Sequence, residues 1–369
     1  MTEASGAAAP RRARQWVAMR NVSMDVRGGW GISGSAAKEL RTAIGKPHVA
    51  ALVGEGGVDP ALVEALHRDL SSSGFEVRRI EMPEGGCDLP RVEALDELLA
   101  DAGVVAEDIV VAVGGYEALS VASFACGTWC GGVSLLEVPT SAPAALLCGP
   151  TPRALDLPGA PRMVSNDGAA RFCVVDPGLF DCDPSHEELL HAFALMVATA
   201  TCDSNKSFGR LWDAADALAA ADPDALLDEL LESIKGRGRV VSATSASTRQ
   251  SISFGHELAC ALRPLVGPDV PESALLADGM RFAARLAVGL EQLSVDDMFT
   301  LDELLERLGV GTVEARVDPD ALVAQIRSER FRRSNRFMVA TPRALGRVRL
   351  SIVSDELLAE HAAAWCAAR

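Results

Sequence analysis

The chain has 369 residues, of which 49% are hydrophobic and 23% charged, with a formal net charge of −16. This length supports two domains of ordinary size, and the composition excludes global disorder. The negative balance excludes a general nucleic-acid binder, which needs a basic footprint, and favours a soluble protein that repels anionic surfaces.

Met1–Arg14 is alanine-rich and ends in PRRAR without the apolar core of a signal peptide, so it reads as a disordered leader. Gly29-Trp30-Gly31-Ile32-Ser33-Gly34 fits GxGxxG, either a dinucleotide loop or a plain loop before the first sheet helix. Val49–Val53 is a short apolar run, read as a buried strand. Pro60–Gly74 follows as a helix with Leu62, Leu66 and Leu70 on one face, and Pro60 suits its first turn. Glu76–Met82 reads as a strand, and Leu89–Ala102 as a helix with Leu95, Leu98 and Leu99 on its apolar stripe. Ile109–Val113 is the most strand-like run; it ends in Gly114-Gly115 and leads into a helix from about Glu117. Val133–Val138 and Phe172–Val175 complete the strands. Such alternation predicts a parallel α/β sheet over 15–180.

After Pro184 helices dominate, at Glu187–Ala200, Lys206–Ala220, Pro223–Lys235, Gln250–Leu265, Glu272–Leu293, Leu301–Leu308, Pro319–Arg330 and Asp355–Ala368. Phe337–Ala340 and Val348–Ile352 are two short strand-like runs. The expected organisation is a Rossmann-like α/β domain, 15–180, followed by a mainly helical domain, 181–369. No apolar run approaches the ~20 residues of a membrane span. Nine cysteines lie scattered without a CxxC pair, which reads as reduced thiols in a cytoplasm.

Four ordered segments carry a family resemblance: Ile109–Trp129 (IVVAVGGYEALSVASFACGTW), Val138-Pro139-Thr140-Ser141, Val174–Phe180 (VVDPGLF) and Arg249–Leu262 (RQSISFGHELACAL). They resemble the strand, glycine-rich turn and helix, the VPTT, the VIDP and the R…NLGHTFGHA segments of the sugar phosphate cyclases, the family of 3-dehydroquinate synthase. The resemblance covers roughly Val49 to Ile352 and implies that family's fold, with a site in the cleft between its two domains. It also implies a homodimer, a small-molecule substrate and, in the family, NAD and a divalent metal held by one Glu and two His.

Those cofactor residues are mostly replaced. The three ligand positions fall on Leu195, His256 and Leu276, with Asp278 close by, and one donor does not hold a catalytic zinc. In the nucleotide loop Tyr116 follows Gly114-Gly115, and Ser120 stands where the family has an Asp. The acidic and lysine positions after the second strand fall on Gly86 and Leu89. The family's phosphate-binding lysines and asparagine fall on Arg153, Pro161, Arg162 and Ala198, whereas Arg249 is retained. We therefore expect neither NAD nor zinc.

Each remaining polar residue has two readings. His256 is a general acid/base or a satisfied core histidine. Arg249, seven residues earlier, shares a helical face with it and binds phosphate or carboxylate, or makes a surface ion pair. Tyr116, the only tyrosine, sits at a strand-to-helix turn as a site residue or plain packing. Arg153 and Arg162 flank a Pro/Gly-rich loop, Cys148–Pro161, and grip an anion or are solvated. Cys260 is a buried, inert thiol or a nucleophile. Asp203, Asn205 and Lys206 form a polar cluster with Asp203 or Ser204 as a helix N-cap. The site set is His256, Arg249 and Tyr116 as catalytic, with Arg153, Arg162, Ser120, Lys206 and Asp278 as substrate-binding. The expected function is a ring-forming or proton-transfer enzyme of specialised metabolism without the redox cycle. The alternatives are a non-catalytic binding partner and a true dehydroquinate synthase.

Overall fold

The computed structural model describes residues 11–35, 37, 40, 48–168 and 170–369. The N-terminal part comprises β1 (Arg12–Ala18), β2 (Ser23–Gly29), β3 (Val49–Gly54), α1 (Pro60–Ser72), β4 (Glu76–Glu81), α2 (Leu89–Asp101), β5 (Ile109–Gly114) and α3 (Tyr116–Thr128). It continues through β6 (Ser134–Pro139), α4 (Ala142–Leu147), β7 (Arg153–Leu157), β8 (Ala160–Asn166) and β9 (Ala170–Val175). One sheet runs in the order β1-β2-β9-β6-β5-β3-β4. All its pairings are parallel except β1 with β2.

The central strand β5 is apolar throughout because helices cover both faces of the sheet there: every one of its residues is buried. On one face Leu62, Leu66 and Leu70 of α1 pack on Leu52 and Val111; on the other, Leu95 and Leu99 of α2 join α3 and the helical half. Burying each such leucine is worth roughly 1.5–3 kcal/mol. Asp59 and Asp88 start α1 and α2 by accepting the N–H groups of Ala61 at 2.8 Å and Arg91 at 3.1 Å.

The helical part comprises α5 (Glu187–Asp203), α6 (Asn205–Ala219), α7 (Pro223–Ser242), α8 (Ala246–Gln250), α9 (His256–Leu262), α10 (Glu272–Gly289), α11 (Val295–Arg307), α12 (Pro319–Phe331) and α13 (Asp355–Ala367). The antiparallel hairpin of β10 (Met338–Ala344) and β11 (Arg347–Ile352) lies between α12 and α13. No described helix is long and apolar enough to cross a membrane.

Three differences from the sequence expectation matter. Residues 1–10 of the expected leader lie outside the described residues, whereas Arg12–Arg14 belong to β1. That edge strand is polar and was unreadable as a strand, since only alternate residues are even partly covered. The loop expected over Cys148–Pro161 contains β7 and the start of a β7–β8 hairpin. The single helix expected over Gln250–Leu265 is broken. Its chain passes from α8 through a tight turn at Ser251–Ser253 to Gly255, whose φ of 80° is left-handed, and α9 starts afresh. Gly255 meets α10 there: a Cβ on Gly279 would lie 1.9 Å from the Gly255 carbonyl oxygen. Glycine at both positions permits this approach.

Candidate functional site

Restarting the helix at His256 turns His256, Glu257 and Cys260 toward a cavity of about 350 Å³. The β7–β8 hairpin closes it with Arg162, and the end of α12 contributes Glu329, Arg330 and Arg333. Ile252, Ile326 and Val339 add apolar wall. The cavity thus lies between the α/β and helical parts. Arg333 stitches its two sides together, donating to the carbonyls of Pro161 and Arg162 at 3.1 Å each.

The polar groups differ in charge state. Burial, reinforced by the Arg237 and Arg162 cations and by any charge on His191, pushes the His256 imidazole pKa down to about 3. The ring is therefore neutral at ordinary pH and presents one N–H donor and one acceptor nitrogen. Burial pushes the Glu257 carboxyl up to about 7, against partial relief from the Ala340 N–H, Arg330 and Ser253. Those groups lie 2.8, 3.4 and 3.3 Å from its oxygens. A carboxyl of that pKa populates both forms near neutrality, as a proton-shuttling group must. Arg162 donates to Cys260 Sγ at 2.7 Å from a backbone with φ 55°. A non-glycine residue in that region costs on the order of 1–3 kcal/mol, often tolerated at functional positions.

Of the sequence candidates, His256, Arg162 and Cys260 meet in this cavity and the others do not. Arg249 donates to the carbonyls of Ala243 and Thr244 at 2.7 and 2.8 Å and closes its own loop. The expected shared helical face with His256 fails because Gly255 breaks the helix. Arg153 is fully buried, ion-paired with Glu137 and bonded to the Leu147 carbonyl at 3.0 Å. Ser120 is buried within α3, where its hydroxyl donates to the Tyr116 carbonyl at 2.7 Å. Tyr116 opens α3 and packs against the main core; burial raises its phenol. Lys206 lines a separate hollow of about 520 Å³ with Arg210, Lys235 and Arg239, and Ser204 caps α6 there. Asp278 is fully buried away from the cavity; it pairs with Arg281 and Arg369 and accepts the Val313 N–H at 3.1 Å. For Arg153, Ser120 and Asp278 the expected substrate contact, and for Arg249 the expected catalytic role, give way to intramolecular contacts.

Glu257, Arg330 and Arg333 escaped the sequence reading. Their signals were the acidic residue beside His256 in GHEL and the arginine-rich run Arg327–Arg336. Arg237 also escaped. It is 3% exposed, and its guanidinium donates to the hydroxyls of Thr151 and Thr199 at 2.8 and 3.2 Å.

The residues present do not fit the metal and nucleotide of the resemblance. Leu195 and Leu276 are buried in the apolar core, and leucine offers no lone pair. No group of three His, Cys, Asp or Glu among the described residues is arranged to hold a metal ion. At the nucleotide turn, Glu55 Oε2 accepts the Gly115 N–H at 2.7 Å, at the N-terminus of α3. A pyrophosphate would need that N–H and that space. A hollow of about 470 Å³ at the carboxyl ends of β3 and β6 is lined by Glu55 and Asp59 and, among the described residues, by no Lys or Arg. The GxGxxG pattern is spent in the same way. The N–H groups of Gly31 and Ser33 donate to the Asp176 carboxylate at 2.8 and 2.9 Å, which makes it a structural loop.

No family model matches the chain. The chain is 24% identical over 269 residues to a 3-dehydroquinate synthase of Rippkaea orientalis, covering 68% of this chain and 69% of that protein. It is 24% identical over 265 residues to one of Dehalococcoides mccartyi, covering 70% and 73%. A crystal structure of 2-deoxy-scyllo-inosose synthase with carbaglucose-6-phosphate, NAD+ and Co2+ superposes with a TM-score of 0.80 at 18% identity, over 95% of this chain and 99% of that one. The 2-epi-5-epi-valiolone synthase of Streptomyces hygroscopicus subsp. jinggangensis 5008, with NAD+ and Zn2+ bound, superposes at 0.77 and 16% identity over 95% and 99%. The chain has the dehydroquinate synthase-like fold and resembles the sugar phosphate cyclases in sequence.

Proposed function

We propose that this chain, a divergent relative of the sugar phosphate cyclases, is an enzyme of specialised metabolism that works without their NAD–metal redox cycle. It transfers protons on, or closes the ring of, a small anionic carbonyl compound held in the cleft between its two parts. The observation that supports this most is the cavity itself, where a carboxyl with pKa about 7 and a neutral imidazole sit among three arginines.

The roles follow from charge. Arg162, Arg330 and Arg333 hold the substrate's carboxylate or phosphate. Glu257 in its ionised form removes a proton from the carbon beside the carbonyl, and the resulting acid returns it to another atom. His256, being neutral, donates its N–H to the carbonyl oxygen on which negative charge develops. This division revises His256 from proton carrier to hydrogen-bond donor. Enolate formation of this kind precedes aldol ring closure as well as simple isomerisation. Dimerisation is part of the same proposal, with light scattering as its measurement.

The test is proton exchange in D2O, followed by NMR, on a panel of small phosphorylated and carboxylated ketones. The expected result is exchange with at least one member, abolished by Glu257→Gln and unaffected by EDTA or by added NAD+. Turnover that requires both NAD+ and a divalent metal would overturn the proposal. Binding of panel members without any exchange would favour the non-catalytic alternative and overturn it too.

A further inference from the structure

We propose that Cys260 is a nucleophile of this cleft and forms a reversible covalent adduct with an anionic aldehyde or 2-oxo acid. The inference rests on the cleft being the substrate site, as just argued, and adds a covalent step to it. Three observations carry it. Cys260 lines the cavity, whereas Cys126, Cys148, Cys173 and Cys202 are buried in the core. The Arg162 guanidinium donates to its sulfur at 2.7 Å, so a positive charge already lies where an attacking sulfur gathers electrons. Helical register within α9 places Glu257 three residues and His256 four residues before Cys260, spacings that bring side chains onto one face.

The step balances within these groups. The Cys260 thiol passes its proton to the ionised Glu257 carboxylate, and Sγ forms a bond to the carbonyl carbon. The C=O π pair moves onto oxygen, which takes the proton back from Glu257 while His256 donates a hydrogen bond. The product is a hemithioacetal or hemithioketal, with no change of oxidation state and no other reactant. Arg330 and Arg333, which line the same cavity, receive the ligand's negative group.

The experiment is peptide-resolved alkylation of the intact protein, with exposed Cys130 as the internal reference. Iodoacetate, an anion, is expected to modify Cys260 about tenfold faster than Cys130, and faster than neutral iodoacetamide does. Arg162→Gln is expected to remove most of that advantage, and glyoxylate to protect Cys260 but not Cys130. Equal rates at the two cysteines, no effect of Arg162→Gln in a variant with native circular dichroism, or no protection by glyoxylate would overturn the proposal. Alkylation needs no turnover. An unreactive Cys260 beside active, Glu257-dependent proton exchange removes the covalent step and leaves the proton-transfer reading standing.

Discussion

Glu55 Oε2 accepts a hydrogen bond from the Gly115 N–H at 2.7 Å, so one side chain of the protein fills the anion position at the head of α3. The approach is close enough that a Cβ on Gly114 would lie 2.7 Å from the same oxygen. The helix already has its negative charge, and a second anion would meet electrostatic repulsion as well as an occupied donor.

Wild-type protein is therefore expected to show no thermal shift with NAD+ or with inorganic pyrophosphate. Glu55→Ala is expected to lower stability by about 1–2 kcal/mol, through a lost charged hydrogen bond and helix-dipole contact. It should also acquire a shift with pyrophosphate. A robust NAD+ shift in the wild type contradicts this account.

Glu257 makes stability depend on pH in a defined direction. Its pKa is raised from 4.5 to about 7, so between those values the folded state holds more protons than the unfolded one. The contribution is fully present below about pH 4.5 and is lost as pH rises through about 7, by up to ~3 kcal/mol. Urea unfolding at about pH 5 and about pH 8 should show this loss in the wild type and not in Glu257→Gln. Equal pH dependence in both proteins would place the titration elsewhere.

Arg237 should control His256. Burial is the larger cause of the low imidazole pKa of about 3, and the Arg237 cation is the next. Arg237→Met removes the charge, so an NMR titration of the His256 ring should find its pKa raised. The sign matters for folding too. A depressed His256 stabilises fully above its ordinary 6.5 and loses that contribution as pH falls toward 3, and the variant should tolerate acid better. An unmoved His256 resonance would separate the two residues.

Asp278 distinguishes a binding residue from a structural one. Its carboxylate ties Arg281, Arg369 and the Val313 N–H together in the interior. Asp278→Ala leaves buried cations without their partner and should cost about 3–5 kcal/mol in urea unfolding. A variant of full stability with weakened ligand binding would restore the substrate contact first assigned to it.

Periodicity located most of the fold, because apolar strands such as Ile109–Gly114 and stripes such as Leu62, Leu66 and Leu70 record burial directly in sequence. Edge strand β1 and hairpin β7–β8 left no such record, since their residues alternate weakly or remain exposed. Within the site, the resemblance pointed to His256, which lines the cavity. It misplaced Arg153 and Asp278, because an arginine or aspartate in a sequence does not say whether its partner is a ligand or another side chain. Here the partners are Glu137, 16 residues away, and Arg369, 91 residues away.

The sequence by itself determined that an α/β sheet precedes a helical half and that the positions where the resemblance puts two metal ligands, Leu195 and Leu276, are leucines. Both are properties of local pattern and residue chemistry. Only the tertiary structure decided which charges face the cleft. A single left-handed glycine, Gly255, breaks the expected helix and re-aims His256, Glu257 and Cys260 together. Burial then sets Glu257 near 7 and His256 near 3. Desolvation and long-range Coulomb fields depend on what surrounds a group in space, and no spacing along the chain encodes them.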